Sequence, residues 1–249
     1  MADILYSIAL GLVAGLIPVY LGLLPLPLFR RLPPSSRNLV ISFSTGILLF
    51  LFSDVTGTAI ELAGKAGPGP FLFAIGLVLG LASPFAIASR GRGTNRLPSV
   101  GAMQSDSKFF TAYMISVGIG LHNLGEGLAI GSAYASGQLA LTTILVVGFA
   151  LHNGMEGLGI SGPISDAPIH FREPLVMGFL AGFPTIIGSV IGSIAYSDLG
   201  GTLFFSVAGG ALLFVVVELL RRAYPSKGTF SGLAMGILLT YFTDLLLSI

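Results

Sequence analysis

Leu121-His122-Asn123-Leu124-Gly125-Glu126-Gly127 is followed, thirty residues on, by Leu151-His152-Asn153-Gly154-Met155-Glu156-Gly157. Both stretches read L-H-N-x-x-E-G, and both lie inside apolar runs. They hold two of the three histidines of the chain. On a helix, residues i and i+4 share a face. His122 therefore stands beside Glu126, and His152 beside Glu156. Two facing helices of this kind bring two imidazoles and two carboxylates to one point. That is a ligand set for a divalent cation, with Asn123 and Asn153 in reach as neutral oxygen donors. In a soluble protein a histidine with a glutamate one turn on is an ordinary helix-face pair. In a bilayer each ionisable group costs roughly 2.5–3.5 kcal/mol or more at mid-depth, so four of them in two matched positions mark a functional polar site.

The composition puts the chain in a bilayer. Of 249 residues, 53% are hydrophobic and only 9% charged, against about 25% charged in a soluble domain. The mean hydropathy is +0.92. The 35 glycines suit close helix packing in lipid, and Gly-rich faces allow a homodimer. A net charge of +1 gives no sign of nucleic-acid binding, and with no cysteine there is no disulfide, thiolate ligand or thiol redox chemistry. The N-terminus carries Asp3 and no basic cluster, so it reads as the first span and not as a removable leader.

A span needs about 20 mostly apolar residues. Eight are expected, at roughly 4–24, 38–63, 71–89, 109–135, 139–161, 174–196, 201–220 and 229–248. Prolines punctuate them: Pro25, Pro27, Pro33 and Pro34 after the first, Pro68 and Pro70 after the second, Pro163 and Pro168 after the fifth, and Pro225 after the seventh. The longest loop is expected at 90–107, with Arg90, Arg92 and Arg96. When the loops are assigned alternately to the two faces, eleven of the twelve basic residues fall on one side and only Lys65 on the other. The positive-inside rule then places both termini outside and the 90–107 loop in the cytoplasm. Nothing is long enough for a second domain, so residues 1–249 read as one transmembrane domain.

An internal repeat is also visible. Gly46 to Asp54 in the second span and Gly210 to Glu218 in the seventh both read G-x-L-L-F-x-x-x-acid. A weaker match joins Gly11, Ala14, Gly15 and Pro18 to Gly178, Ala181, Gly182 and Pro184. Spans one to three then match spans six to eight, and spans four and five match each other. Mates five spans apart run in opposite directions, giving a 3+2+3 inverted-repeat, all-α bundle with its site near the midplane. The repeat sets Asp54 outside the central site and Glu218 inside it, as stations on a cation path. Glu218 has a second reading, an ion pair with Arg221 or Arg222 one turn on. Glu61 either lines the outer mouth or faces water, Asp244 is placed to reach the outer vestibule, and His170 reads either as solvated or as a weak metal acceptor on the cytoplasmic side.

With these motifs on consecutive spans, eight spans and outside termini, the chain resembles the ZIP (Zrt/Irt-like) family of divalent metal transporters. The resemblance implies import of zinc, iron, manganese or related ions into the cytoplasm across a cell (plasma or inner) membrane, through a site between the two motif helices. It implies that His122, Asn123, Glu126, His152, Asn153 and Glu156 are metal ligands and that Glu218 is the cytoplasmic exit. It also implies a protein that is not an enzyme. Three departures stand out. The family motif H-N-x-P-E-G has Gly125 and Met155 in place of proline. The span-six stretch Ala181-Gly182-Phe183-Pro184-Thr185-Ile186 lacks the family's glutamate, which makes Thr185 a tuning position. Met155, three residues from His152, is either a soft thioether donor or a packing residue. Two carboxylates and two neutral imidazoles around one M²⁺ leave a net charge near zero, which suits a dehydrated ion in low dielectric. Mixed nitrogen and oxygen ligation favours Zn²⁺ foremost, with Fe²⁺, Mn²⁺, Co²⁺, Ni²⁺ and Cd²⁺, over Ca²⁺ or Mg²⁺. The competing readings are a membrane-embedded metal-dependent hydrolase and a purely structural metal site. The first lacks an H-E-x-x-H pattern and a third intramembrane histidine, and the second needs no acids flanking the site.

Overall fold

A computed structural model describes residues 3–65, 67–91, 107–165, 170–195, 197–223 and 228–248. Among the described residues there is no strand. The chain opens with α1 (Ile4–Gly11), which passes through a π-helical turn at Leu12–Leu16 into α2 (Ile17–Leu23). A short α3 (Leu26–Phe29) follows, then α4 (Pro34–Gly64), α5 (Gly69–Gly91), α6 (Ser107–Ala135), α7 (Leu139–Ser161), α8 (Arg172–Ile194), α9 (Asp198–Ala223) and α10 (Thr229–Ser248). The Asp3 carboxylate caps α1 by accepting the Leu5 N–H at 2.9 Å. Pro34 opens α4, where a missing N–H costs nothing.

Among the described residues, five stretches are long and apolar enough to cross a membrane: Ile4–Phe29, Ser35–Gly64, Leu139–Ser161, Arg172–Ile194 and Asp198–Arg221. The chain is a multi-pass membrane protein. Shorter apolar stretches, Gly69–Ser83 and Thr229–Leu245, occupy α5 and α10. The 29-residue α6 is not among these stretches. Its middle turns carry Ser116, His122, Asn123 and Glu126, all buried against other helices, so its polarity is directed into protein and not lipid. The expected helix bounds shift by a few residues. Both ends of the expected loop at 90–107 are helical, since α5 runs to Gly91 and α6 starts at Ser107, and residues 92–106 lie outside the described residues. Arg92, Arg96, Pro168, Pro225 and Lys227 lie outside the described residues.

The apolar core lies where α4 crosses α9. Ile47, Leu48, Leu51 and Val55 of α4 meet Ala208, Leu212, Val215 and Leu219 of α9, at helical spacing on each. Two glycine contacts clamp this pair to its outer neighbours. A Cβ added at Gly46 would overlap the Leu233 carbonyl of α10, and one at Gly236 the Phe43 carbonyl of α4. On the other side a Cβ at Gly210 would overlap the Leu77 carbonyl of α5, and one at Gly80 the Val207 carbonyl of α9. One constant shift in numbering maps Phe43 and Gly46 onto Val207 and Gly210. Another maps Leu233 and Gly236 onto Leu77 and Gly80. The α4–α10 and α9–α5 contacts are thus the same contact made twice, at the positions where the sequence repeats. Helix backbones approach this closely in lipid only through small residues.

Gly210→Ala therefore forces overlap in a dry helix crossing and should destabilise the protein by about 1–3 kcal/mol. Gly57, where an added Cβ meets nothing within 4 Å, should accept Ala with unchanged or higher stability, because alanine favours the helix. Thermal unfolding in detergent, followed by circular dichroism, checks both.

Candidate metal centre

Helices α6 and α7 are joined by a tight turn in which Gly137 takes φ +73°, a conformation that suits glycine. The turn sets the helices side by side, with the two motifs at matching heights. His122 is 3% exposed, Glu126 1%, His152 4% and Glu156 0%. His122 Nε2 lies 3.2 Å from Glu126 Oε1 and 3.8 Å from Glu156 Oε1. His152 Nε2 lies 3.9 Å from Glu126 Oε1 and 4.0 Å from Glu156 Oε1. Donor atoms of His122, His152 and Glu156 all fall within 4.8 Å of one another.

The second oxygen of each carboxylate is held crosswise. Asn123 Nδ2 on α6 donates to Glu156 Oε2 on α7 at 2.9 Å, and Asn153 Nδ2 on α7 donates to Glu126 Oε2 on α6 at 2.9 Å. Each amide spends its other proton on a backbone carbonyl, Asn123 on Ala181 of α8 at 3.1 Å and Asn153 on Ala14 at 2.8 Å. The Ala14 carbonyl is available for a local reason. Four residues on is Pro18, which has no N–H to return the helical bond, and the π turn lies at this point. Ala181 lies in the turn of α8 before Pro184. Ala14 and Ala181 are themselves matched positions of the weaker sequence repeat.

What remains points inward. The Nε2 atoms of His122 and His152 and the Oε1 atoms of Glu126 and Glu156 have no hydrogen-bond partner among the described residues, and neither do Oδ1 of Asn123 and Asn153. A buried, unpaired polar atom costs about 1–3 kcal/mol, and more when charged. A tetrahedral cation with 2.0–2.1 Å bonds holds its donors about 3.3 Å apart. The 3.2–4.0 Å separations between imidazole and carboxylate lie close to that spacing. The buried His/Glu cluster fits a metal site.

The other expected residues fall as follows. Asp54 and Asp244 are partly buried, and Asp54 is close enough to feel the charges of His122, Glu126 and Asp244. Glu61 is exposed and pairs with Lys65 at 2.9 Å. Glu218 keeps 30% of its side chain exposed, with Oε2 3.7 Å from Arg221. Met155 packs against the apolar core. Thr185 is fully buried, its hydroxyl has no partner, and it lies where a side chain on Gly15 would be. His170 is exposed. Sequence reasoning missed the two alanine carbonyls and Phe205 of α9, whose ring centroid is 6.1 Å from that of His122. The repeat contained the signal for the carbonyls; nothing local announced Phe205.

If the asparagines orient the carboxylates, Asn123→Ala or Asn153→Ala should weaken Zn²⁺ binding about 10–100-fold, the usual effect of removing the partner of a ligand. Isothermal titration in detergent measures it. A family model described as "ZIP Zinc transporter" matches residues 93–244 of the chain. No curated protein matches it significantly.

Proposed function

Because the chain belongs to the ZIP zinc transporter family, we propose that it carries divalent transition-metal cations, Zn²⁺ foremost, into the cytoplasm through the His/Glu cluster on α6 and α7. The observation that carries this reading is the crossed pair of Asn–Glu hydrogen bonds. It pins one oxygen of each carboxylate and leaves the other free beside the two imidazole Nε2 atoms, which also lack a hydrogen-bond partner. His122, Glu126, His152 and Glu156 bind the ion. Asn123 and Asn153 hold the carboxylates through their amide N–H groups and offer Oδ1 as further donors. The two negative charges offset the two of M²⁺, so the ion can shed water at low dielectric cost. Protons compete for the same atoms, so binding weakens as pH falls.

The working topology is one transmembrane transport domain, 1–249, with eight spans, both termini outside, and a 3+2+3 inverted repeat in a plasma or inner membrane. The duplicated glycine contacts and the paired Ala14 and Ala181 carbonyls support the repeat. Asp54, coupled electrostatically to the site and to Asp244, is the outer station, with Glu61 at the mouth. Glu218, held near Arg221 at the inner end of α9, is the release station. Lacking an acid at Thr185, the site takes one principal ion.

The test is Zn²⁺ uptake into proteoliposomes loaded with a fluorescent zinc reporter. Glu126→Ala and His152→Ala should each lower uptake by more than about tenfold, as expected for lost ligands. His170→Ala should leave uptake unchanged. Thr185→Glu adds a hard oxygen ligand and should move the competition order toward Mn²⁺. Metal held through the same residues by a protein that takes up no ion would show a structural site instead.

A further inference from the structure

Phe205 sits on α9, 8% exposed, with its ring tilted 57° to the His122 imidazole at 6.1 Å between centroids. The other ring beside that imidazole is that of His152, at 5.6 Å. The place taken by the Phe205 ring exists only because residue 125 has no side chain. A Cβ added to Gly125 would lie 2.5 Å from both Cε1 and Cζ of Phe205 and 3.0 Å from Cε2. Real Cβ atoms do not come so near an aromatic ring, so the notch at Gly125 and the ring that fills it belong together.

The other half of the site is built differently. The shift that relates the two motifs maps Gly125 onto Met155, and the shift that relates α4 to α9 maps Phe205 onto Ile41. There the long side chain is on the motif helix, and the facing helix supplies an aliphatic residue. Among the described residues, His152 makes no ring contact apart from His122. The two imidazoles are alike in sequence setting and burial, but only one has an aromatic cover. On the α9 side, the ring beside the His122 imidazole is that of Phe205.

We propose that Phe205, seated in the notch left by Gly125, is a lid over the His122 side of the centre: a positioning residue that holds this imidazole and must swing aside before an ion passes on the α9 side. The lid breaks the symmetry of an otherwise duplicated site, giving the two approaches to the ion unequal barriers. The proposal rests on the transport reading for its consequence, and on the ring geometry alone for its existence.

The two are separated by measuring exposure and uptake side by side. Diethyl pyrocarbonate modifies accessible imidazoles, and mass spectrometry of the purified, metal-free protein at one fixed pH reads all three histidines. His170, exposed, is the internal reference. In Phe205→Ala, modification of His122 should rise several-fold relative to His170 while His152 changes little. Phe205→Leu, closer in volume, should fall between and stands in if the alanine variant does not fold. Gly125→Ala should displace the ring and lower Zn²⁺ uptake about tenfold, the scale of an overpacked contact. The double variant Gly125→Ala/Phe205→Ala should recover several-fold over Gly125→Ala. Equal rises at His122 and His152 would mean general loosening and would overturn the lid, as would no rise at all, or a double variant no better than Gly125→Ala. Selective unmasking of His122 in a protein that moves no ion would sink transport and leave the lid standing. Uptake by the native protein without selective unmasking would do the reverse.

Discussion

Two carboxylates and two imidazoles are buried together, and among the described residues no other acidic, basic or histidine side chain is buried to that degree. Everything around them answers to that constraint. Groups that are 0–4% exposed are largely cut off from bulk solvent, so each polar atom needs a partner in its surroundings. The two asparagines divide the problem. Each pins one carboxylate oxygen of the opposite helix and leaves its mate free, so rigidity and reactivity come from the same carboxylate. The asparagines are anchored in turn by backbone carbonyls of α8 and of the π turn after α1. The site thus depends on four chain segments, although its ionisable groups lie on only two.

The anchor at Ala14 explains how Pro18 and a π turn are accommodated in lipid. A missing proline N–H in a bilayer normally leaves a carbonyl without a partner. At Ala14 the Asn153 amide takes that role, so the helix defect and the buried cluster satisfy each other. The glycine contacts do the complementary work. They let α6 lie against α8 and α7 against α2 closely enough for short asparagine side chains to span the gap. A Cβ at Gly188 would overlap the Leu124 carbonyl, and one at Gly22 the Gly154 carbonyl, again at matched positions of the two halves. Small residues are therefore part of the site's geometry and not only of its packing.

The duplication is close but incomplete, and the differences are chemical. Thr185 and Val19 occupy comparable places one turn after Ala181 and near Ala14, yet one carries a hydroxyl and the other none. Gly125 and Met155 exchange a notch for a side chain. A symmetric cage with asymmetric surroundings can bind an ion evenly and still treat its two approaches differently.

Much of this was legible in the residues. Hydropathy and the scarcity of charge establish a helical membrane protein, and the i, i+4 spacing of His122 with Glu126 and His152 with Glu156 assigns each pair to one helix face. The internal match of Gly46–Asp54 with Gly210–Glu218 reappears as duplicated packing. These are properties of local periodicity, which a helix transmits without help from the rest of the chain. The pairing of Asn123 with Glu156 and of Asn153 with Glu126, the use of the Ala14 and Ala181 carbonyls, the ion pairs of Glu61 and Glu218, and the seating of Phe205 over His122 are not of that kind. An asparagine beside a histidine reads equally well as an oxygen ligand or as an N–H donor. Which proton goes to which acceptor depends on how far apart helices distant in sequence come to lie, and only their packing sets that distance.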